Sequence, residues 1–154
     1  MTEKYRAKRK NDGKWVAGTY FPTRLTSNDY IFHFIEVYGE MNGEKVRHKF
    51  SVKPDTLSRC SGLTACGQEV HEGDIIRFHI DHTAEFWTAV VRFGWHDTYE
   101  YGWYLEPIRD TVFSKAIGVW LGERPAFGST AAVIGNVWDN PEMMEGGRRE
   151  NEYR

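Results

Sequence analysis

The sequence holds six histidines and 22 acidic residues, which are the side chains that metal and hydrolytic chemistry require. The densest such run is His79-Ile80-Asp81-His82. On an extended strand, His79 and Asp81 lie on one face and His82 lies on the other, so the three side chains do not converge on one metal ion without a bend. Such runs also occur on ordinary solvent-facing strands. We therefore predict no metal site and no cofactor.

Hydrolysis would need a Ser or Cys beside a His and an acid, or two carboxylates facing each other across a cleft. Carboxylates are frequent between residues 72 and 106, but no spacing singles out a pair. The two cysteines, Cys60 and Cys66, have a C-x5-C spacing that fits neither a zinc knuckle nor a C-x-x-C redox pair. No Gly-rich phosphate-binding loop is present. We predict a non-enzymatic protein, with a metal-dependent hydrolase as the least favoured alternative.

Aromatic residues are the stronger indication of binding. They are concentrated in one short region, which also includes Trp87 and Tyr104. Large flat side chains stack on nucleobases, hold a ligand or anchor a protein interface, although they also fill β-sheet cores. Residues 95–101 read as a polar and aromatic loop, and we expect Trp95 and Tyr99, which lie in this loop, to be the most exposed. The candidate binding residues are Trp95, Tyr99, Tyr101 and Trp103.

The first 14 residues contain six lysines and arginines. Glu3 and Asp12 dilute this charge, and beyond Tyr5 no aromatic side chain interleaves with it, so the pattern favours a solvated first strand that ends in the turn Asn11-Asp12-Gly13. The net charge of the whole chain is −2, which gives no global field to hold a nucleic acid. A small nucleic-acid-binding β-barrel, using the basic strand and the aromatics of residues 95–104, is the alternative function.

The elements that position these residues are predicted to be strands. Aromatics make up 15 % of the 154 residues and there are 15 glycines, which is typical of strands joined by tight turns in one domain. Asn42-Gly43 is a strong hairpin signal. We expect one domain over residues 1–145, a charged and disordered tail over 146–154, and helix limited to short turns, with 111–121 ambiguous. The predicted strands cover 15–21, 30–38, 45–52, 75–80, 88–93, 102–106 and 131–138, and the predicted helical turns lie near 54–60 and 140–145.

The segment from Leu57 to Phe78 reads as a series of turns that leads into a strand. Three of its glycines, Gly62, Gly67 and Gly73, suit left-handed backbone conformations. Single apolar residues between them would hold the turns against a core. Asp74 is placed to accept backbone N–H bonds at the last turn, before the strand begins.

Three motifs follow one another along nearly the whole chain. They are Tyr5-Arg6-Ala7 with Gly13-Lys14-Trp15-Val16-Ala17-Gly18, then Ser61-Gly62-Leu63 with Gly67-Gln68-Glu69-Val70-His71-Glu72-Gly73-Asp74-Ile75, and finally Val133-Ile134-Gly135-Asn136-Val137-Trp138-Asp139-Asn140-Pro141-Glu142. In this order, they resemble the YopX family of phage and prophage proteins. The chain departs from the family pattern at Cys60-Ser61 and at Thr64-Ala65-Cys66, so no binding role is carried over to those positions.

The resemblance implies an all-β fold, a small pseudo-barrel or two-sheet sandwich, and an intertwined oligomer. It implies phage or prophage origin but no settled activity, and it supplies no catalytic residue. The positions that we interpret as structural motif residues are Gly62, Leu63, Gly67, Gly73, Asp74, Gly135, Asn136 and Pro141.

The C-terminal strand carries the prediction about assembly. Residues 131–138 are apolar and follow a long irregular stretch, 107–130, so this strand must pair either within its own chain or with a second copy. The family resemblance favours a homo-oligomer through this strand. The sequence shows no apolar run long enough to span a bilayer and no apolar N-terminal segment typical of a signal peptide. We therefore expect a cytoplasmic protein, in a bacterial host cell, that does not enter the membrane.

Overall fold

In the computed structural model, the residues described are 4–24, 30–79, 86–97, 100–108 and 131–144. They form an all-β protein built of antiparallel strands, which confirms the predicted fold class. The chain divides into two compact units, Met1–Cys60 (unit 1) and Ser61–Arg154 (unit 2), and the boundary falls within one strand. The strands are β1 Tyr5–Lys8, β2 Trp15–Arg24, β3 Ile31–Met41, β4 Glu44–Ser51, β5 Ser58–Ala65, β6 Gln68–His71, β7 Asp74–His79, β8 Phe86–Asp97, β9 Glu100–Pro107 and β10 Ala132–Asn136.

Unit 1 contains the strand order β4-β3-β2-β1, and the first residues of β5 pair with β1. The hairpin between β3 and β4 turns at Asn42 and Gly43, whose φ angles are 56° and 80°, as the sequence predicted. One face of this sheet is buried around Ala7, Ile35 and Val52. Because side chains alternate between the faces of a strand, the residues next to Ala7 in β1 and next to Ile35 in β3 lie on the opposite face, which we call the outer face.

Unit 2 contains the remainder of β5, paired with β6, and a four-stranded order β10-β7-β8-β9. It has its own core of small and β-branched side chains, to which Leu63, Trp103 and Val133 add partly buried contacts. Ile76, Val91 and Leu105 show how the core is assembled, because they come from the three neighbouring strands β7, β8 and β9. Ile76 and Val91 are β-branched, and such residues suit a pleated, buried surface.

The structure corrects two sequence predictions. The helical turn expected near 54–60 is present as the 3₁₀ turn Pro54–Thr56, but the series of turns expected over 57–78 is largely strand. The glycines do turn the chain: Gly67 and Gly73 have φ angles of 78° and 87° at the ends of β6. The predicted loop over 95–101 is also wrong, because β8 continues to Asp97 and β9 begins at Glu100.

The C-terminal strand was expected over residues 131–138 and spans Ala132–Asn136, antiparallel to β7 of the same chain. The expected helical turn follows at residues 142–144. Self-association through this strand stays a prediction, as does a single domain over 1–145. The ambiguous segment 111–121 and the predicted tail over 146–154 lie outside the described residues. Among the described residues, no helix is long and apolar enough to span a membrane.

Candidate functional site

Two of the sequence motifs meet in unit 2, at Gly73 and Trp138. The Val137 N–H donates to the Gly73 carbonyl at 2.9 Å, and the Gly73 N–H donates to the Val91 carbonyl at 2.7 Å. A Cβ added at Gly73 would lie 2.4 Å from the Trp138 ring, and the φ angle of 87° disfavours any side chain there. The glycine is therefore required so that the indole can pack directly on the turn before β7.

Asn136 organises the turn that follows β10. Its Oδ1 accepts the backbone N–H groups of Trp138 at 3.1 Å and of Asp139 at 2.8 Å, and its Nδ2 donates to the Asp139 carboxylate at 3.0 Å. Asn140 Oδ1 accepts the Asn136 N–H at 3.3 Å and fills the space that a Cβ on Gly135 would need. Pro141 then begins the helical turn, since its carbonyl accepts the Met144 N–H at 3.2 Å. We interpret these motif residues as fold-forming groups.

The turn between β6 and β7 contains the nearest approach to acid–base chemistry. Asp74 is 1 % exposed, and its Oδ2 accepts the His71 backbone N–H at 2.7 Å, which is the role that the sequence predicted for this carboxylate. The same oxygen lies 3.5 Å from His71 Nδ1, and a Glu69 oxygen lies 3.8 Å from His71 Nε2. The buried carboxylate therefore accepts a backbone hydrogen bond within its own turn, and its oxygen is too far from His71 Nδ1 to form a hydrogen bond with the ring.

An aromatic strip lies on the β8–β9 hairpin and consists of Phe93, Trp95, Tyr101 and Trp103. Phe93 pairs with Trp103 across the strands, and Trp95 pairs with Tyr101. The rings meet edge to face, with centroids 5.1 Å apart for Phe93 and Trp103, 5.3 Å for Phe93 and Tyr101, and 5.2 Å for Trp95 and Tyr101. Each ring is thus held by its neighbour in a favourable quadrupole geometry.

The aromatic strip continues the core face of unit 2 out to solvent. Val91 and Leu105 are buried on the same faces of β8 and β9, and Trp103 packs against their cluster. At the far end Trp95 is 66 % exposed and Tyr101 is 50 % exposed. A single exposed apolar residue is common on protein surfaces, whereas a contiguous exposed apolar patch indicates an interaction site. The exposed end of this strip is therefore the strongest binding candidate in the described part of unit 2.

Two glycines pair across the hairpin between the rings, Gly94 with Gly102. Their φ angles are 145° and 150°, which residues with a side chain rarely adopt. These positions lie on the face opposite to the strip, because they alternate with the aromatic residues. In this part of the hairpin, one face therefore carries the four rings. On the other face, the paired glycines that lie between the rings carry no side chain.

Three of the four predicted binding residues come together in the strip. They are Trp95, Tyr101 and Trp103, and Trp95 is exposed as expected, although it lies in a strand and not in a loop. Tyr99 lies outside the described residues. The sequence prediction missed Phe93, which contacts two of the other rings. Its alternation with Trp95 was the available signal.

A family comparison matches residues 4–145 with the model of the YopX protein family. The chain belongs to the YopX family. The match covers all three motifs and both units, and it confirms the resemblance seen in the sequence. No curated protein matches the chain.

Among solved structures, this YopX chain is similar to the crystal structure of protein EF1440 from Enterococcus faecalis. The similarity covers 94 % of this chain and 99 % of that one, with a TM-score of 0.50 and 20 % sequence identity. At this identity the likeness shows a common all-β fold and nothing further.

Proposed function

We propose that this protein is a phage- or prophage-encoded binding protein, without catalytic activity, that assembles with itself. The observation that carries the proposal is the exposed end of the aromatic strip. Membership of the YopX family supports the phage or prophage origin. A cytoplasmic location in the host belongs to the same proposal.

The strip has the properties of an interface anchor. Tyr and Trp supply a large contact area for few rotatable bonds, and residues of this kind dominate the binding energy of many protein interfaces. Here the rings are already held against one another, so Trp95 and Tyr101 would lose little rotational freedom on association. At the other end of the strip, Trp103 is partly buried and packs against the core of unit 2, so the exposed rings are anchored to that core.

A second copy of the chain is the proposed partner because both outer strands of the four-stranded order have one described neighbour. In the described part of unit 2, β9 pairs with β8 and β10 pairs with β7. The other edges carry backbone groups that suit pairing with another strand. A two-fold symmetric contact at β9 would also place the same aromatic strip on both sides of the interface.

The C-terminal strand offers the other edge and remains the interface expected from the sequence. Ile134 on β10 is 37 % exposed and falls at an irregularity in the pairing with β7. The two edges make different predictions, so substitutions can assign the interface. Trp95→Ala tests the aromatic strip and Ile134→Lys tests β10.

Light scattering on a sizing column, from low to high micromolar concentration, is the test. An oligomer that Trp95→Ala dissociates and Ile134→Lys preserves would support the strip as the interface. The reverse result would assign assembly to the C-terminal strand. A monomer mass of the unmodified chain across the whole range would overturn the proposal.

A further inference from the structure

The net charge of −2 hides an opposite division between the two units. Residues 1–60 contain 12 lysines and arginines and 7 acidic residues, a net charge of +5. Residues 61–154 contain 8 and 15, a net charge of −7. A charge estimate over the whole chain therefore misses a basic unit, and the position of its cations decides what that unit attracts.

Strand register places several of these cations among aromatic rings on the outer face of the unit 1 sheet. Lys8 pairs with Trp15, Phe21 pairs with Phe34, and Lys49 pairs with Glu36 beside that ring. Directly paired residues share a face, and the opposite face holds the core around Ala7 and Ile35. We call this outer surface the basic aromatic face; its members are Arg6, Lys8, Trp15, Phe21, Phe34 and Lys49.

The cations of this face lie directly over its rings. The Arg6 guanidinium carbon is 4.4 Å from the Trp15 ring centroid, and Lys8 Nζ is 5.5 Å from the same centroid. Lys49 Nζ lies 4.6 Å from the Phe34 centroid. Long flexible side chains in such positions can move a short distance to a phosphate and leave the ring to a base, and a planar guanidinium itself stacks on bases.

The carboxylate at the centre of the face is neutralised. Glu36 is 6 % exposed, and its oxygen lies 2.9 Å from Arg47 Nε. Glu40 is also on this side of β3, but it lies near the hairpin end and pairs with Lys45. Phe21 is 40 % exposed, so a flat apolar surface is accessible beside the cations. The charge and the rings together complement a flexible polyanion whose own aromatic groups are exposed.

We propose that the basic aromatic face binds single-stranded nucleic acid. Duplexes hide their bases, whereas a single strand offers both phosphates and stacking surfaces to a sheet that alternates cations with rings. This surface belongs to unit 1 and is independent of the aromatic strip of unit 2, so failure of either proposal leaves the other in place.

Fluorescence anisotropy of labelled 12-nucleotide single strands with the full chain tests the proposal at 50 and 200 mM salt. With about three phosphate contacts, the affinity should fall roughly tenfold to twentyfold between these concentrations. The corresponding duplex should bind more weakly. Salt-independent association, equal binding of the duplex, or tighter binding to anionic phosphatidylserine vesicles would overturn the proposal.

Two pairs of variants locate the contact. Lys49→Glu should weaken single-strand binding about fivefold to tenfold, and Lys49→Arg should preserve it. Arg92→Glu makes the same change of charge in unit 2 and should have little effect on single-strand binding. An equal loss of affinity in this control would show that binding depends only on the overall charge, and would overturn the proposal. Phe34→Leu retains an apolar residue without a flat ring and should also weaken binding. Circular dichroism of each variant verifies folding.

Discussion

The basic aromatic face of unit 1 and the aromatic strip of unit 2 are built from the same kind of side chain but have different electrostatic neighbours. On the first, rings lie beneath Arg6, Lys8 and Lys49. On the second, rings contact other rings, and Arg92, which lies next to Phe93 in the sequence, is on the opposite face of β8, where it is paired with Glu106 at 2.8 Å. The comparison teaches that aromatic content alone does not define a ligand. The charge that the register brings beside each ring distinguishes a surface for a polyanion from a surface for another protein.

The largest effect is expected at the turn before β7, where the Trp138 ring packs on Gly73. Gly73→Ala should destabilise the protein by about 2–5 kcal/mol, because left-handed strain adds to overlap with the Trp138 ring. Gly67→Ala is the matched control, since Gly67 has a similar φ angle but no atom lies within 4 Å of its added Cβ. It should lose only about 1–2 kcal/mol. Urea unfolding measures both, and equal losses would contradict the proposed role of the indole contact.

A crossed pair of substitutions should separate the two surfaces. Trp95→Ala should raise the dissociation constant of self-association at least about thirtyfold, as for an anchor residue worth roughly 2 kcal/mol, and leave single-strand binding unchanged. Lys49→Glu should produce the opposite pattern. Sedimentation velocity and anisotropy on the same preparations provide the two readouts. If either variant altered both properties to a similar degree, the surfaces would not be functionally distinct.

A smaller difference is expected from removing one cation in each unit. Arg6→Ala should lower the free energy of unfolding by about 1 kcal/mol, because it removes both the contact with Trp15 and the bond from Nε to Ser58 Oγ at 3.3 Å. Arg92→Ala should lower it by about 0–1 kcal/mol, since its ion pair with Glu106 is exposed. Thermal unfolding at low and high salt compares them. A larger loss for Arg92→Ala would reverse the interpretation.

The smallest effect is expected from the turn that follows β1. Hydrogen bonds from the Arg9 side chain and the Lys14 backbone hold the pKa of Asp12 below its usual value. A carboxyl whose pKa is lower in the folded state contributes stability above its unfolded pKa and loses it as the pH falls through its folded value. Asp12→Asn should therefore be slightly less stable at pH 7, and the difference should vanish at low pH. Parallel curves of Tm against pH would contradict this.

The fold was largely predictable where local chemistry determines it. Asn42-Gly43 specified its hairpin, and Asp74 was correctly expected to accept a backbone N–H bond at the turn before β7. The two strands of the β8–β9 hairpin were predicted too short, at 88–93 and 102–106, because polar residues near Trp95 resemble a loop when cross-strand pairing is unknown. Sequence patterns show which residues share a face of one strand, but not which strands become neighbours.

The same limit explains why the candidate surfaces were only partly predicted. The cluster around Trp95 was visible because its members are close in the sequence. Within residues 1–14, no aromatic side chain beyond Tyr5 interleaves with the cations, but strand pairing brings the next residue, Trp15, under Arg6 and Lys8. Lys49 and Phe34 are 15 positions apart and meet only through the register of β3 and β4.

The opposite charges of the two units have a consequence for handling the protein. Adsorption to a charged resin depends on the local density of charge and not on the sum over the molecule. With a sequence isoelectric point near 6.3, the chain should bind an anion exchanger at neutral pH. Its lysine- and arginine-rich first 60 residues should also retain it on a cation exchanger or heparin column under the same conditions.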